Sequence, residues 1–171
     1  MSQITVVLDF AGQHDLPSLL DAFCRLSIIA KVIVISPDQP GPLPKKCEWL
    51  EGAASTAGVT LNRLLTIVDT PYLLFVQPLQ TITPGPHCLD RLVEVAATTG
   101  AGMVYSDFEE ISDGVSRPHP VNDYQLGSIR EEFDFGPVTL LTLAAVRDSV
   151  SKWGRLVDAP GAGFYDLRLK V

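Results

Sequence analysis

The residues of this chain best placed to do chemistry are carboxylates at the ends of apolar runs. Asp9 closes "ITVVLD", Asp38 stands just past "KVIVIS", and Asp107 ends "GMVYSD". A carboxylate at such a point can hold a divalent cation, accept hydrogen bonds from a ligand, or take up a proton. The run "YLLFV" empties instead into Gln77, Pro78, Leu79 and Gln80, ahead of Pro84-Gly85. That loop has the form of a ligand loop but offers no carboxylate, histidine or cysteine. Other groups read more plainly. Glu109-Glu110 and Glu131-Glu132 are solvated charge, Arg63 fits the polar face of a helix, and Trp49 and Trp153 fit partial burial in the core. His87-Cys88 lacks partners at zinc-ligand spacing and reads as the first turn of a helix.

Elements that would position these residues follow from the hydrophobic pattern. "ITVVL" (4–8), "KVIVIS" (31–36) and "YLLFV" (72–76) are apolar throughout, as strands covered on both faces must be. Between them, Leu16, Leu19, Leu20 and Phe23 recur at helical spacing, with Asp15 as the N-cap and Pro17 in the first turn. The spacing returns at Leu61, Leu64, Leu65 and Val68, and again at Leu89, Leu92, Val93 and Ala96. A fourth strand, Gly102 to Asp107, follows. This alternation of strand and helix predicts βαβ units and a mostly parallel sheet. After Asp107, Asp113-Gly114 predicts a hairpin turn, a short strand spans Val138 to Leu141, and a helix spans Leu143 to Val150. The chain stops on "GFYDLRLKV" without a cap, the ending expected of a piece of a longer chain.

In open α/β sheets, ligands bind outside the carboxyl ends of the strands. Here those ends are Asp9-Phe10, Ser36-Pro37-Asp38, Gln77 to Gln80, and Ser106-Asp107. None carries a glycine-rich dinucleotide fingerprint or a P-loop. The 171 residues fit one domain, and 46% hydrophobic with 19% charged residues is ordinary for a folded globular chain. A net charge of −7 argues against a nucleic-acid or anionic-membrane surface. Cys24, Cys47 and Cys88 are odd in number and show no C-x-x-C spacing, which fits a reducing compartment, with Cys24 a helix core residue. The N-terminus has no basic leader, and its apolar run is too short for a signal peptide or membrane span, so a cytoplasmic location is expected.

In order and spacing, several segments together resemble the family 2 glycosyltransferases. These are "ITVVLDFAGQHDLPSLLDAF", "KVIVISPD", "GVTLNRLLTIVDTPYLLFVQPLQTITPG", "VYSD", "GPVTLL" and "YDLRL". Asn62, Tyr72, Phe75, Pro84 and Gly85 fall at matching places. The resemblance covers nearly the whole chain and implies a GT-A-like three-layer α/β/α sandwich. It further implies transfer of a sugar from a nucleotide diphosphate donor, with Mg²⁺ or Mn²⁺ on the diphosphate. Nucleotide contacts are then expected from Asp9, Phe10, Ser36, Asp38, Asn62, Arg63, Gln77 and Asp107.

The chain departs from that pattern where the chemistry should be. The two aspartates of the family's Asp-x-Asp motif correspond to Gln77 and Leu79. The base-reading aspartate corresponds to Ser36-Pro37, with Asp38 one step on. The acidic pair holding the general base corresponds to Gly163 and Phe164. These losses imply a glycosyltransferase-like domain impaired in metal-dependent catalysis, with no metal bound. Such a domain is expected to bind a nucleotide-sugar, a partner domain or a carbohydrate. One alternative is an active, divergent transferase drawing on Asp107, Asp134, Asp166 or residues beyond Val171. Against that, Asp166 also fits a helix-surface or capping role. The other alternative is a nucleotide-binding or regulatory α/β domain without glycosyl chemistry. It would be favoured if the Asp113-Gly114 hairpin and "FDFGPV" lay away from the crevice.

Overall fold

The computed structural model describes residues 2–12, 15–77, 82–125, 133–159 and 161–171. Its frame is a six-stranded sheet in the order β3-β2-β1-β4-β8-β5. The first strands are β1 (Ile4–Asp9), β2 (Ile29–Ser36), β3 (Cys47–Glu51) and β4 (Tyr72–Val76), all parallel. β5 (Met103–Tyr105) lies at the far edge, and β8 (Val138–Thr142) runs antiparallel between β4 and β5. Five helices cover the sheet: α1 (Leu16–Cys24), α2 (Gly58–Ile67), α3 (Cys88–Thr99), α4 (Leu143–Trp153) and α5 (Ala162–Lys170). The expected three-layer α/β/α sandwich with a mostly parallel central sheet is thus the observed architecture.

Alternation along each strand divides the core in two. Val6, Leu8, Leu74 and Val76 point to the face covered by α1 and α3, where they meet Leu20, Phe23, Leu89 and Leu92. Val7, Leu73 and Phe75 point to the other face, against Leu61 and Leu64 of α2, Val146 of α4, and Phe164 and Leu167 of α5. Local chemistry sets the helix ends. The Asp15 carboxylate accepts from the Ser18 amide at 3.3 Å and so caps α1, and Pro17 occupies its first turn. Gly100, with φ of 71°, closes α3.

Some boundaries differ from the sequence expectation. β3 was not among the strands read from the sequence; it is short, with Cys47 and Leu50 buried and Glu48 and Glu51 exposed, as befits an edge strand. α4 continues through Trp153, whose side chain is 60% exposed rather than packed in the core. The Lys152 ammonium covers its ring instead. The hairpin forms as expected from β6 (Phe108–Ser112) and β7 (Val115–His119). Both turn residues, Asp113 and Gly114, have positive φ, the geometry that suits a two-residue connection.

On the α2 and α5 side, two helices approach closely because glycines allow it. A Cβ on Gly163 would run into the Gly58 amide, and would lie 2.6 Å from Gly58 Cα and 2.8 Å from the Thr56 carbonyl oxygen. Gly58 is itself pressed against the Val157 carbonyl. Gly163→Ala is therefore expected to cost about 1–3 kcal/mol, seen as a fall of several degrees in melting temperature. Gly85→Ala is the control, since its added Cβ meets nothing within 4 Å. Equal melting temperatures for the two variants would show that the close approach is not a constraint.

Candidate functional site

The chain runs β1, β2, β3 outward in one direction, then returns to place β4 on the other side of β1. Connections therefore diverge at the carboxyl ends of β1 and β4, where an open α/β sheet forms its crevice. Because β8 is antiparallel, its start faces the same end of the sheet. The Gln77 amide donates to the Pro137 carbonyl at 2.8 Å, which joins the end of β4 to the segment entering β8.

Two of the expected residues meet there through a third that the sequence reading missed. Ser55 donates its backbone N–H to Asp9 Oδ1 at 2.5 Å and its hydroxyl to Asp9 Oδ2 at 2.9 Å. Gln77 Nε2 donates to Ser55 Oγ at 3.0 Å. Ser55 is fully buried, and Asp9 lies largely out of solvent. Burial raises the Asp9 carboxyl above its ordinary 3.8, while the two hydrogen bonds from Ser55 pull it partly back. Asp9 thus has both oxygens engaged within the protein.

Beside this network lies a cavity of about 320 Å³. Gln77 and Thr56 form its polar floor, Phe133, Phe135 and Tyr165 supply rings, and Asp134 and Arg168 supply charge. The Arg168 guanidinium carbon sits 5.0 Å from the Phe135 ring centre, 5.5 Å from Phe164 and 5.6 Å from Tyr165. The cavity thus sets one cation, held over aromatic faces, beside one carboxylate. Phe164 leans on Phe75 at 5.3 Å and closes the inner wall.

Asp134 connects the cavity to the hairpin. Its Oδ1 accepts from the Gly136 amide at 2.7 Å, and its Oδ2 lies 3.0 Å from His119 Nε2. His119 Nδ1 lies 3.1 Å from Glu110 Oε1, and the ring stacks on Phe108 at 4.3 Å. The hairpin and "FDFGPV" therefore both adjoin the crevice.

The remaining expected residues serve the frame around the crevice. Asn62 is buried, donating to the Gly58 and Leu156 carbonyls and accepting from the Leu156 amide, so it ties α2 to the segment before α5. Arg63 donates to the Glu51 carbonyl at 2.7 Å. The buried Ser36 hydroxyl donates to the Asp38 carbonyl at 2.6 Å, and the Asp38 side chain is exposed. Phe10 packs half-buried on the α1 side. Asp107 accepts from the Val121 amide at 2.8 Å. Asp166 accepts from the Val157 amide at 2.9 Å and pairs with Lys170 at 2.7 Å, contacts of a capping carboxylate.

Gly163 and Phe164, where the resemblance puts the general base, are both taken up by packing, Gly163 by its approach to Gly58 and Phe164 by its ring contact with Phe75. Leu79, like Glu131 and Glu132, lies outside the described residues. Among the described residues no group of three or more His, Cys, Asp or Glu side chains could hold a metal ion. The described residues also include no helix long and apolar enough to cross a membrane.

Comparison with solved structures places the fold. The 2-C-methyl-D-erythritol 4-phosphate cytidylyltransferase of Thermus thermophilus superposes with a TM-score of 0.52 at 19% identity, covering 99% of this chain and 83% of that one. The 4-diphosphocytidyl-2C-methyl-D-erythritol synthase of Anaerococcus prevotii also gives 0.52, at 11% identity over 89% of this chain and 75% of that one. No protein-family signature matches the sequence. No curated protein matches it either. At these identities the likeness defines the fold alone: the nucleotide-diphospho-sugar transferase-like fold, to which GT-A is related.

The raised Asp9 carboxyl has a consequence for stability. A carboxyl raised by folding favours the native state fully below its ordinary 3.8, and that advantage is lost as pH rises through the folded value. At neutral pH, ionised Asp9 is therefore a burden. Asp9→Asn, which keeps an acceptor for the Ser55 amide, is expected to melt at or above the wild-type temperature at pH 7, with the gap narrowing toward pH 4. A variant several degrees less stable at pH 7 would mean that the Ser55 bonds outweigh the cost of burial.

Proposed function

We propose that this chain is a nucleotide-diphosphate-binding, transferase-like domain in which metal-dependent sugar transfer is impaired. The observation that carries this reading is the fate of the general-base positions. A carboxylate at 163 has no room beside Gly58, and the Phe164 side chain is committed to the core. Without a titratable group there, the acceptor hydroxyl has no partner at that place to take its proton. The metal side of the reaction fails in the same way, since Gln77 stands where a carboxylate is needed and its amide is bonded to Ser55. Glycosyl descent is favoured over an unrelated regulatory domain because the hairpin and "FDFGPV" adjoin the crevice.

Binding itself is still supported by the cavity. Its aromatic rings suit a planar base or the apolar face of a sugar, and Arg168 suits an anionic group. A guanidinium can supply part of the positive charge that a diphosphate requires, without a metal ion. One observation favours the second reading, an active transferase with a relocated base: Asp134 lines the cavity and is linked through His119 to Glu110.

Calorimetric titration with UDP, GDP and CDP, each with and without Mn²⁺, tests the proposal; CDP is included because one structural neighbour is a cytidylyltransferase. Binding unchanged by Mn²⁺ and weakened about tenfold in Arg168→Gln is the expected result. Binding that tightens clearly with Mn²⁺ would overturn the impaired-metal reading. Sugar transfer that Asp134→Asn abolishes would establish the second reading.

A further inference from the structure

At the opposite end of the sheet from the crevice, two thiols stand together for which the proposed function has no use. Cys24 is the last residue of α1 and Cys47 the first of β3, and their sulfurs lie 3.4 Å apart. The approach does not depend on the sulfurs. Lys46, next to Cys47, donates from Nζ to the Cys24 carbonyl at 3.2 Å and to the Ile29 carbonyl at 3.1 Å. The Cys47 amide donates to the Pro44 carbonyl at 2.8 Å, and Cys47 pairs with Val32 of β2. Backbone contacts on both sides thus hold the thiols within a short side-chain rotation of bonding distance.

We propose that Cys24 and Cys47 form a reversible disulfide by exchange with a low-molecular-weight disulfide, stapling edge strand β3 to α1. Cys24 is half-buried and Cys47 buried, so the reagent enters at Cys24. The Cys24 thiolate attacks one sulfur of the reagent, forming a mixed disulfide and releasing one thiolate. Cys47 then gives up its proton to solvent and attacks Cys24 Sγ, expelling the second. Two protein thiols are oxidised to one disulfide, and one reagent disulfide is reduced to two thiols. Burial, with the Cys24 thiol alongside, pushes the Cys47 thiol up to about 12, which makes it the slower, resolving partner.

The staple acts on an edge strand of the sheet. β3 is hydrogen-bonded on one side only, to β2. Its far end leads into the segment that delivers Ser55 and Thr56 to the crevice. A cross-link also shortens the free loop between residues 24 and 47 in the unfolded chain, which stabilises the folded state.

The test uses oxidised glutathione with the native protein in a Cys88→Ser background, read by intact mass, peptide mapping and amide exchange. The expected product has lost two hydrogens, retains no glutathione, and yields one linked peptide pair containing Cys24 and Cys47. Dithiothreitol should reverse it. Amide exchange across residues 47–51 should slow, and the melting temperature should rise by roughly 5–10 °C. Should Cys88→Ser fail to fold, mapping of the unaltered protein reads the same peptide pair. A glutathione adduct that persists at Cys24, unchanged thiols after prolonged excess, or a link formed only in denaturant would each overturn the proposal.

Discussion

Burial of β4 on both faces is the constraint from which the rest of this structure follows. All five of its residues, Tyr72 to Val76, are buried, with Leu74 and Val76 in one core and Leu73 and Phe75 in the other. A strand with no wet face needs helices above and below, and parallel neighbours need crossovers to supply them. Those crossovers put α1 and α3 on one side and α2 on the other. They also oblige the chain to reverse its direction of winding between β1 and β4. The crevice is the place where that reversal leaves a gap, so its location is a by-product of covering the sheet.

What fills the crevice is then a contest between packing and chemistry. A transferase keeps polar groups there at some cost to stability, because buried carboxylates resist ionisation and open helix crossings forgo contact. In this chain packing has won at several positions. The α2 and α5 helices meet through Gly58 and Gly163, Phe164 packs onto Phe75, and Asn62 spends its whole amide on backbone groups. Asp9 remains as a half-buried carboxylate at a strand end, and its oxygens are turned to Ser55. The backbone route is that of a transferase-like fold, whereas the side chains along it mostly hold the frame together.

The frame was legible in the sequence for physical reasons. Doubly buried strands must be apolar throughout, and helices packed on one face must show the 3.6-residue period, so β1, β2, β4 and the first three helices could be read directly. Edge strand β3 could not, because only Cys47 and Leu50 of its five residues are buried, Glu48 and Glu51 are exposed, and a proline-rich stretch precedes it. The cavity was partly legible. Gln77 was placed by the run it terminates, and Phe164 by its place in "GFYDLRL". Ser55 was missed as the partner of Asp9, and Thr56, Phe133, Phe135, Tyr165 and Arg168 as lining residues. Their roles depend on contacts distant in sequence, and the visible signals were only the small-residue stretch "GAASTAG" and the clustered rings of "FDFG" and "FYDL".

On the proposed reading, Arg168 is the group that would let the site bind without a metal. A diphosphate needs positive charge nearby, and a divalent cation provides it only where carboxylates hold the ion. Each carboxylate removed weakens that hold and also removes the negative charge that a bare phosphate would meet. A guanidinium on α5, lying against Phe135, Phe164 and Tyr165, provides fixed positive charge at the same cavity without any ligand set. The charge is less than that of a divalent ion and cannot stabilise a departing diphosphate to the same degree. On the proposed reading, a fixed monovalent charge of this kind would hold an anionic ligand more readily than it would help to break its bonds, which is how recognition and catalysis can part on electrostatic grounds.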